Sequence, residues 1–195
     1  MKILGLDSSG LVASVAVMEG DITIAEYTVN YKKTHSQTLL PMLDELKRMT
    51  ELDLHTLDAI AIAAGPGSFT GLRIGSATAK GLGLALKLPI IPVPTVDALA
   101  YNLYGCSALV CPLMDARRNQ VYTGLYEFQK RAEDGGKYEL CTLVKQCAVP
   151  ISEIIGKINE LCRENDREVL FLGDGVAVYQ EQITALTKAS CSFAP

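Results

Sequence analysis

Two pairs of landmarks stand the same distance apart in this chain, and that spacing limits its fold more than any other feature. Asp7 and Asp115 each end an apolar run, while Gly65-Pro66-Gly67 and Gly173-Asp174-Gly175 each follow a later one; the members of both pairs are 108 residues apart. Around them one order of patterns is legible twice. KILGLD, LVASVAVM and ITIAEYTV read as strands joined by tight turns, and residues 36–49 as a helix with Leu39, Leu43 and Leu46 at helical spacing. LDAIAIAA then reads as a buried strand, residues 72–87 as a helix and IIPV as a short strand. In the second half ALVCPLMD, QVYTGLYEF and KYELCTLV are strands, residues 152–164 a helix, EVLFLG a strand, residues 178–187 a helix and CSF a final strand. The pattern predicts an α/β chain of two β-β-β-α-β-α-β lobes, residues 1–100 and 101–195. Within it, Pro41 is expected near the start of its helix, where a missing N–H matters least, and Ser152 is expected to cap the first turn of the later helix.

At 195 residues the chain can bury a substantial core, and 49% hydrophobic with 21% charged residues is an ordinary globular balance. The formal net charge of −4 supplies no bulk positive field for a phosphodiester backbone, which argues against autonomous nucleic-acid binding. The six cysteines (106, 111, 141, 147, 162 and 191) form no C-x-x-C pair, so they are expected to be reduced, mostly buried thiols. The first apolar run is too short for a signal peptide and no stretch of about 18 apolar residues occurs, so a cytoplasmic protein is expected.

Two lobes facing each other would form a cleft bordered by both landmark pairs. In the DSSG turn, Ser8, Ser9 and the N–H groups around Gly10 could receive phosphate oxygens while Asp7 holds a hydrated divalent cation; the same residues equally suit a β-turn in which Asp7 or Ser8 bonds the backbone. GPGSFTGLRIG fits neither the P-loop nor the dinucleotide fingerprint, leaving a tight strand-to-helix crossing with Arg73 on the first turns. Gly71, Gly75, Ala79 and Gly83 then leave one helix face almost bare. The Leu39, Leu43, Leu46 helix of the same lobe, or a helix of a second polypeptide, could approach there. His35 and His55 form no metal pair, no G-x-S-x-G elbow exists, and nothing demands hydrolysis; His35 reads as part of a helix N-terminus.

The DSSG start, THSQTLLPMLDEL, AGPGSFTGLRIGSATAKGLGLAL and MDARRNQVY together resemble the TsaB, or YeaZ, family of the threonylcarbamoyladenosine tRNA-modification pathway. The resemblance spans most of the chain and implies the fold of the actin, sugar-kinase and heat-shock-chaperone ATPase clan. It also implies a non-catalytic partner of TsaD, acting with the ATPase TsaE, that meets tRNA only indirectly, needs no cofactor and could retain weak ATP or ADP binding. In the catalytic relative TsaD a His-x-x-x-His metal pair follows a similar glycine segment; here VPTVDALA places Thr95 and Leu99 at those positions, and neither can usefully bind iron or zinc. The resemblance implies that pairing uses the helices near 36–49 and 71–87, so that His35, Leu39, Leu43, Leu46, Arg73, Gly75, Ala79 and Gly83 are the expected interface, for TsaD or for a homodimer. Asp7, Ser8, Ser9, Gly10, Asp115, Gly173, Asp174 and Gly175 are the candidates for a vestigial nucleotide cleft. Family members continue past a segment like CSFAP into a helix on the first lobe, which this sequence does not contain. Other readings are an ATP-dependent kinase or hydrolase using Asp7 and Asp115, and a metallopeptidase, against which Thr95 and Leu99 speak.

Overall fold

Alternating apolar residues make the first strands, and the backbone bears this out. The structure, a computed structural model, describes residues 1–31, 35–131, 135–163 and 167–194, and divides into two units, Met1–Thr95 and Val96–Pro195. In the first, β1 (Lys2–Asp7), β2 (Ala13–Glu19) and β3 (Ile22–Val29) form an antiparallel meander, followed by α1 (His35–Thr50), β4 (Ala59–Ala63), α2 (Phe69–Leu86) and β5 (Ile90–Val93). The sheet order is β3-β2-β1-β4-β5, with β4 and β5 parallel to β1. Leu4 stands beside Val17 and Ile60, and Leu6 beside Val15 and Ile62. These side chains face Leu39, Met42, Leu43 and Leu46 of α1 and Ala79 of α2 in one core. Each fully buried aliphatic side chain contributes about 1.5–3 kcal/mol, so the leucine line of α1 holds the helix on the sheet.

The second unit repeats the order: α3 (Thr95–Ala100) leads into β6 (Leu109–Arg117), β7 (Gln120–Lys130), β8 (Tyr138–Pro150), α4 (Ile151–Leu161), β9 (Val169–Leu172), α5 (Gly175–Leu186) and β10 (Cys191–Phe193). Its sheet order, β10-β9-β6-β7-β8, is the first order again. Helices α4 and α5 set Ile154, Ile155, Ile158, Tyr179 and Ile183 against Leu109, Cys111, Leu113 and Phe171. The other sheet face is covered too: Val96 and Ala100 of α3 pack with Val110, Met114, Tyr126 and Phe128.

The duplication holds in topology and at the landmark turns, where Gly65 and Gly173 share φ values of 103° and 102°. It does not hold along the strands. Leu6 faces the helices of its unit, whereas the residue 108 further on, Met114, faces α3 on the opposite side of its sheet. Side chains alternate across a strand, so a one-residue difference in register reverses every face.

Three local expectations need correction. Pro41 is not at a helix start but in the second turn of α1, where it is exposed and so costs a hydrogen bond without disturbing the core. Ser152 is not a cap, because β8 runs directly into α4 and Pro150 takes the cap position with its φ of −59°. Of the cysteines only Cys111 is fully buried, the other five being half-buried; all are free thiols, and burial pushes Cys111 up to about 12. The expected end of the 152–164 helix falls partly outside the described residues.

Two glycine substitutions should behave oppositely. Gly156 lies exposed inside α4 with open space where a Cβ would stand, so Gly156→Ala is expected to stabilise by about 0.5–1 kcal/mol. A Cβ on Gly173 would fall onto the Leu113 carbonyl at a φ of 102°, so Gly173→Ala should destabilise by roughly 2–4 kcal/mol. Urea unfolding midpoints of the two variants check both signs.

Candidate functional site

The β1–β2 turn of the first unit is clasped by α2. Asp7 Oδ1 accepts from the Ser9 N–H at 2.7 Å, and the Ser9 carbonyl accepts from the Ser68 N–H at 2.6 Å. Ser8 Oγ donates to the Gly71 carbonyl at 2.8 Å, and Ser68, the N-cap of α2, accepts from the Gly71 N–H at 3.2 Å. A Cβ on Gly67 or Gly71 would overlap the carbonyl oxygens of Ser9 and Ser8, and one on Gly75 would overlap Ser8 Oγ. The glycines therefore admit the turn itself. Ser8 and Ser9 are 1% and 2% exposed, which corrects the expectation that their hydroxyls are presented to phosphate oxygens: the Ser8 hydroxyl is already bonded inward. From the other side the His35 Nε2–H donates to the Gly10 carbonyl at 2.9 Å, tying the start of α1 to the same turn.

In the second unit the equivalent turn repeats one bond: Asp115 Oδ1 accepts from the Arg117 N–H at 2.9 Å. Asp174 Oδ1 accepts from the Asp115 N–H at 3.2 Å, and the Tyr179 hydroxyl lies 3.3 Å from Asp115 Oδ1. Asp115, Gly173, Asp174 and Gly175 thus come together, the glycines packing on Leu113. Beyond Asp115, Arg117, Arg118 and Asn119 have φ values of 63°, 53° and 58°, a left-handed hairpin tip in which bulky residues are strained. Burial pushes the Asp174 carboxyl above the usual range, and the Asp115 charge adds to this, against backbone hydrogen bonds that favour the carboxylate.

The residues expected at a helix interface separate into two sets. Leu39, Leu43 and Leu46 are buried in their own unit's core. Gly75 faces Ser8 and Ile62, Gly83 meets Ile90, Gly71 also meets His35 of α1, and Ala79 shares the core with the α1 leucines, so the bare stripe receives the sheet, the β1–β2 turn and α1 of its own unit. Only Arg73 is exposed, its guanidinium 3.9 Å from the centroid of the exposed Phe69 ring. The outward faces of α1 and α2 instead carry Leu40, Phe69, Ala77, Gly81 and Leu84, the last 84% exposed, while Met49 is exposed on another side of α1. Leu40 and Met42 both stand beside the leucine line in the sequence, and only Leu40 is exposed, Met42 being buried in the core.

Sequence reasoning missed two structural ties. Thr95 is buried, its Oγ1 accepting from the Gly65 N–H at 3.1 Å and its own N–H donating to the Gly65 carbonyl at 2.9 Å. Leu99 packs near Gly173. The buried Tyr126 donates to Asp97 at 2.6 Å across space that only a glycine at 124 leaves open. No spacing in the sequence links 97 to 126.

Two outcomes test this geometry. Gly71→Ala should destabilise the first unit by at least about 2 kcal/mol, seen as an early transition in thermal unfolding, because neither backbone can yield. For Asp174 a raised folded-state value means that the fold holds the proton more tightly than the unfolded chain does. That stabilisation is complete below the ordinary value near about 3.9 and is lost as pH rises through the raised one. Asp174→Asn keeps the acceptor for the Asp115 N–H and removes the charge. It should be at least as stable as the parent at pH 7, with the difference closing below about pH 4 in pH-dependent melting.

The family described as TsaD, tRNA N6-adenosine threonylcarbamoyltransferase, matches residues 23–194. The tRNA threonylcarbamoyladenosine biosynthesis protein TsaB of Bacillus subtilis (strain 168) is 35% identical over 183 residues, covering 94% of this chain and 75% of that protein. TsaB of Haemophilus influenzae is 35% identical over 142 residues, covering 71% of this chain and 59% of its own length, so the chain spans less than two thirds of that relative. A Pseudomonas aeruginosa crystal structure, described as similar to peptidase YEAZ, superposes with a TM-score of 0.77 at 26% identity, covering 100% of this chain and 84% of that one. The two mixed sheets are those of the actin-like ATPase fold. On this similarity in sequence and fold, the chain belongs to the TsaB (YeaZ) family of tRNA threonylcarbamoyladenosine biosynthesis proteins.

Proposed function

We propose that this chain serves threonylcarbamoyl transfer to tRNA as the non-catalytic partner of TsaD, joined through the outward faces of α1 and α2, with TsaE entering a larger assembly. The observation that carries the reading is the kinship with TsaB together with an apolar outer surface on the two helices. Leu40 of α1 and Phe69 and Leu84 of α2 stand in solvent, and small residues at Ala77 and Gly81 leave room for a partner's backbone to come close. In the absence of TsaD the same surface would pair two copies of this chain.

The role requires no catalytic group here. Thr95 and Leu99, at the positions of the relative's metal ligands, are engaged with Gly65 and near Gly173, and among the described residues no three His, Cys, Asp or Glu side chains converge. Any hold on ATP or ADP is weak in this reading, since Ser8 is bonded inward. The protein works in the cytoplasm, and tRNA reaches it chiefly through TsaD. Among the described residues no helix is long and apolar enough to cross a membrane.

Size-exclusion chromatography with TsaD tests the reading. The parent protein should co-elute with TsaD, and Leu84→Asp should abolish co-elution while leaving the circular dichroism spectrum and melting temperature unchanged, because Leu84 is 84% exposed and outside the core. Leu43→Asp, by contrast, should unfold the first unit, its charge falling in the core. Absence of a complex, or tRNA modification by TsaD and TsaE that is indifferent to this chain, overturns the proposal.

A further inference from the structure

On the second unit a group of exposed aromatic rings stands over the core that Phe128 shares with α3. Tyr101 and Tyr104, on the short 3₁₀ turn after α3, are 51% and 52% exposed, and their rings are nearly parallel, 12° apart with centroids separated by 6.4 Å. The buried Phe128 ring meets both almost edge-on, at 5.7 and 5.6 Å, and Tyr138 meets Tyr104 at 83°. The cluster is rigidly built. The Tyr104 hydroxyl accepts from the Tyr138 N–H at 2.8 Å, and the Tyr138 ring packs over Gly105, whose φ of 78° suits a residue without a side chain. The aliphatic members, Leu99, Leu103 and Leu140, lie half-buried beneath, so what reaches solvent is aromatic.

A cation stands on the same surface. Lys130 lies two residues beyond Phe128 on β7, on the same face of the strand, and directly opposite Tyr138. It is exposed and has no ion-pair or hydrogen-bond partner among the described residues. Its side chain runs along Gly136. Preorganised rings and an exposed ammonium on one face of the sheet match what an unpaired nucleotide offers: a flat base to stack and a phosphate to neutralise. A purely apolar protein surface would leave the ammonium unused. The net charge of −4 does not oppose a contact of this size, because base stacking does not depend on the long-range field.

We propose that Tyr101, Tyr104 and Lys130 form a contact for one unpaired base of RNA and its adjacent phosphate. This goes beyond the pairing with TsaD and does not rest on it. The test uses the chain alone, with a labelled oligoadenylate of about six nucleotides and the same strand in a duplex, followed by fluorescence anisotropy across a range of salt. With eight tyrosines and no tryptophan, quenching of intrinsic tyrosine emission is a second readout. The single strand should bind at low salt and the duplex should not. Tyr101→Leu should weaken binding about five- to hundredfold and Tyr101→Phe should leave it intact, the Tyr101 hydroxyl carrying no part of the stack. Lys130→Gln should lower the salt slope by about 0.7. Melting temperatures of the three variants establish that each is folded. No single-strand binding at low salt, equal binding of the duplex, or binding indifferent to Tyr101→Leu overturns the proposal. So does loss of TsaD co-elution on Tyr101→Leu with RNA binding intact, which would assign the rings to a protein contact.

Discussion

The structure depends on how closely a strand-end carbonyl can approach the chain that enters the next helix. In the first unit the carbonyls of Ser8 and Ser9 occupy the space where Gly71 and Gly67 lack side chains. In the second the Leu113 carbonyl does the same against Gly173 and Gly175. Each contact fixes the distance between the central strand and the helix that follows the fourth strand. That distance sets how deeply the buried faces of α2 and α5 can sit. With a methyl group in any of these gaps, the backbone would have to withdraw from its neighbour.

The same closeness governs what the turns can do. In the turn filled by helix α2 the Ser8 hydroxyl and the Ser9 carbonyl are bonded inward. The exposed apolar side chains lie elsewhere, on the outward sides of α1 and α2 in one unit and in the tyrosine cluster of the other. Both surfaces are rigid because the elements beneath them are anchored: α1 by its leucines and by His35 on Gly10, and the tyrosines by Phe128 and by the hydroxyl of Tyr104.

Much of the architecture was legible because strands and helices bury apolar residues with different periods. KILGLD, ITIAEYTV, IIPV and CSF were recognised to the residue, since each run is bounded by turn-forming neighbours. The site was less legible. The glycine repeat in α2 signalled close packing but not its object, and a helix was as good a guess as a sheet. Leu43 looked like an interface residue because periodicity identifies an apolar face without saying whether the chain covers it itself.

The sequence by itself determined the element order, its duplication and the family, because these depend on local pattern and on motifs that survive as contiguous residues. Only the tertiary structure decided which faces were used. Whether Leu6 and the residue 108 further on share a face depends on strand register, which neighbouring strands settle. That Thr95 holds Gly65, that Tyr126 reaches Asp97, and that Lys130 stands beside Tyr138 all follow from pairings between distant segments. Such pairings are selected by the packing of the whole unit, and no local period encodes them.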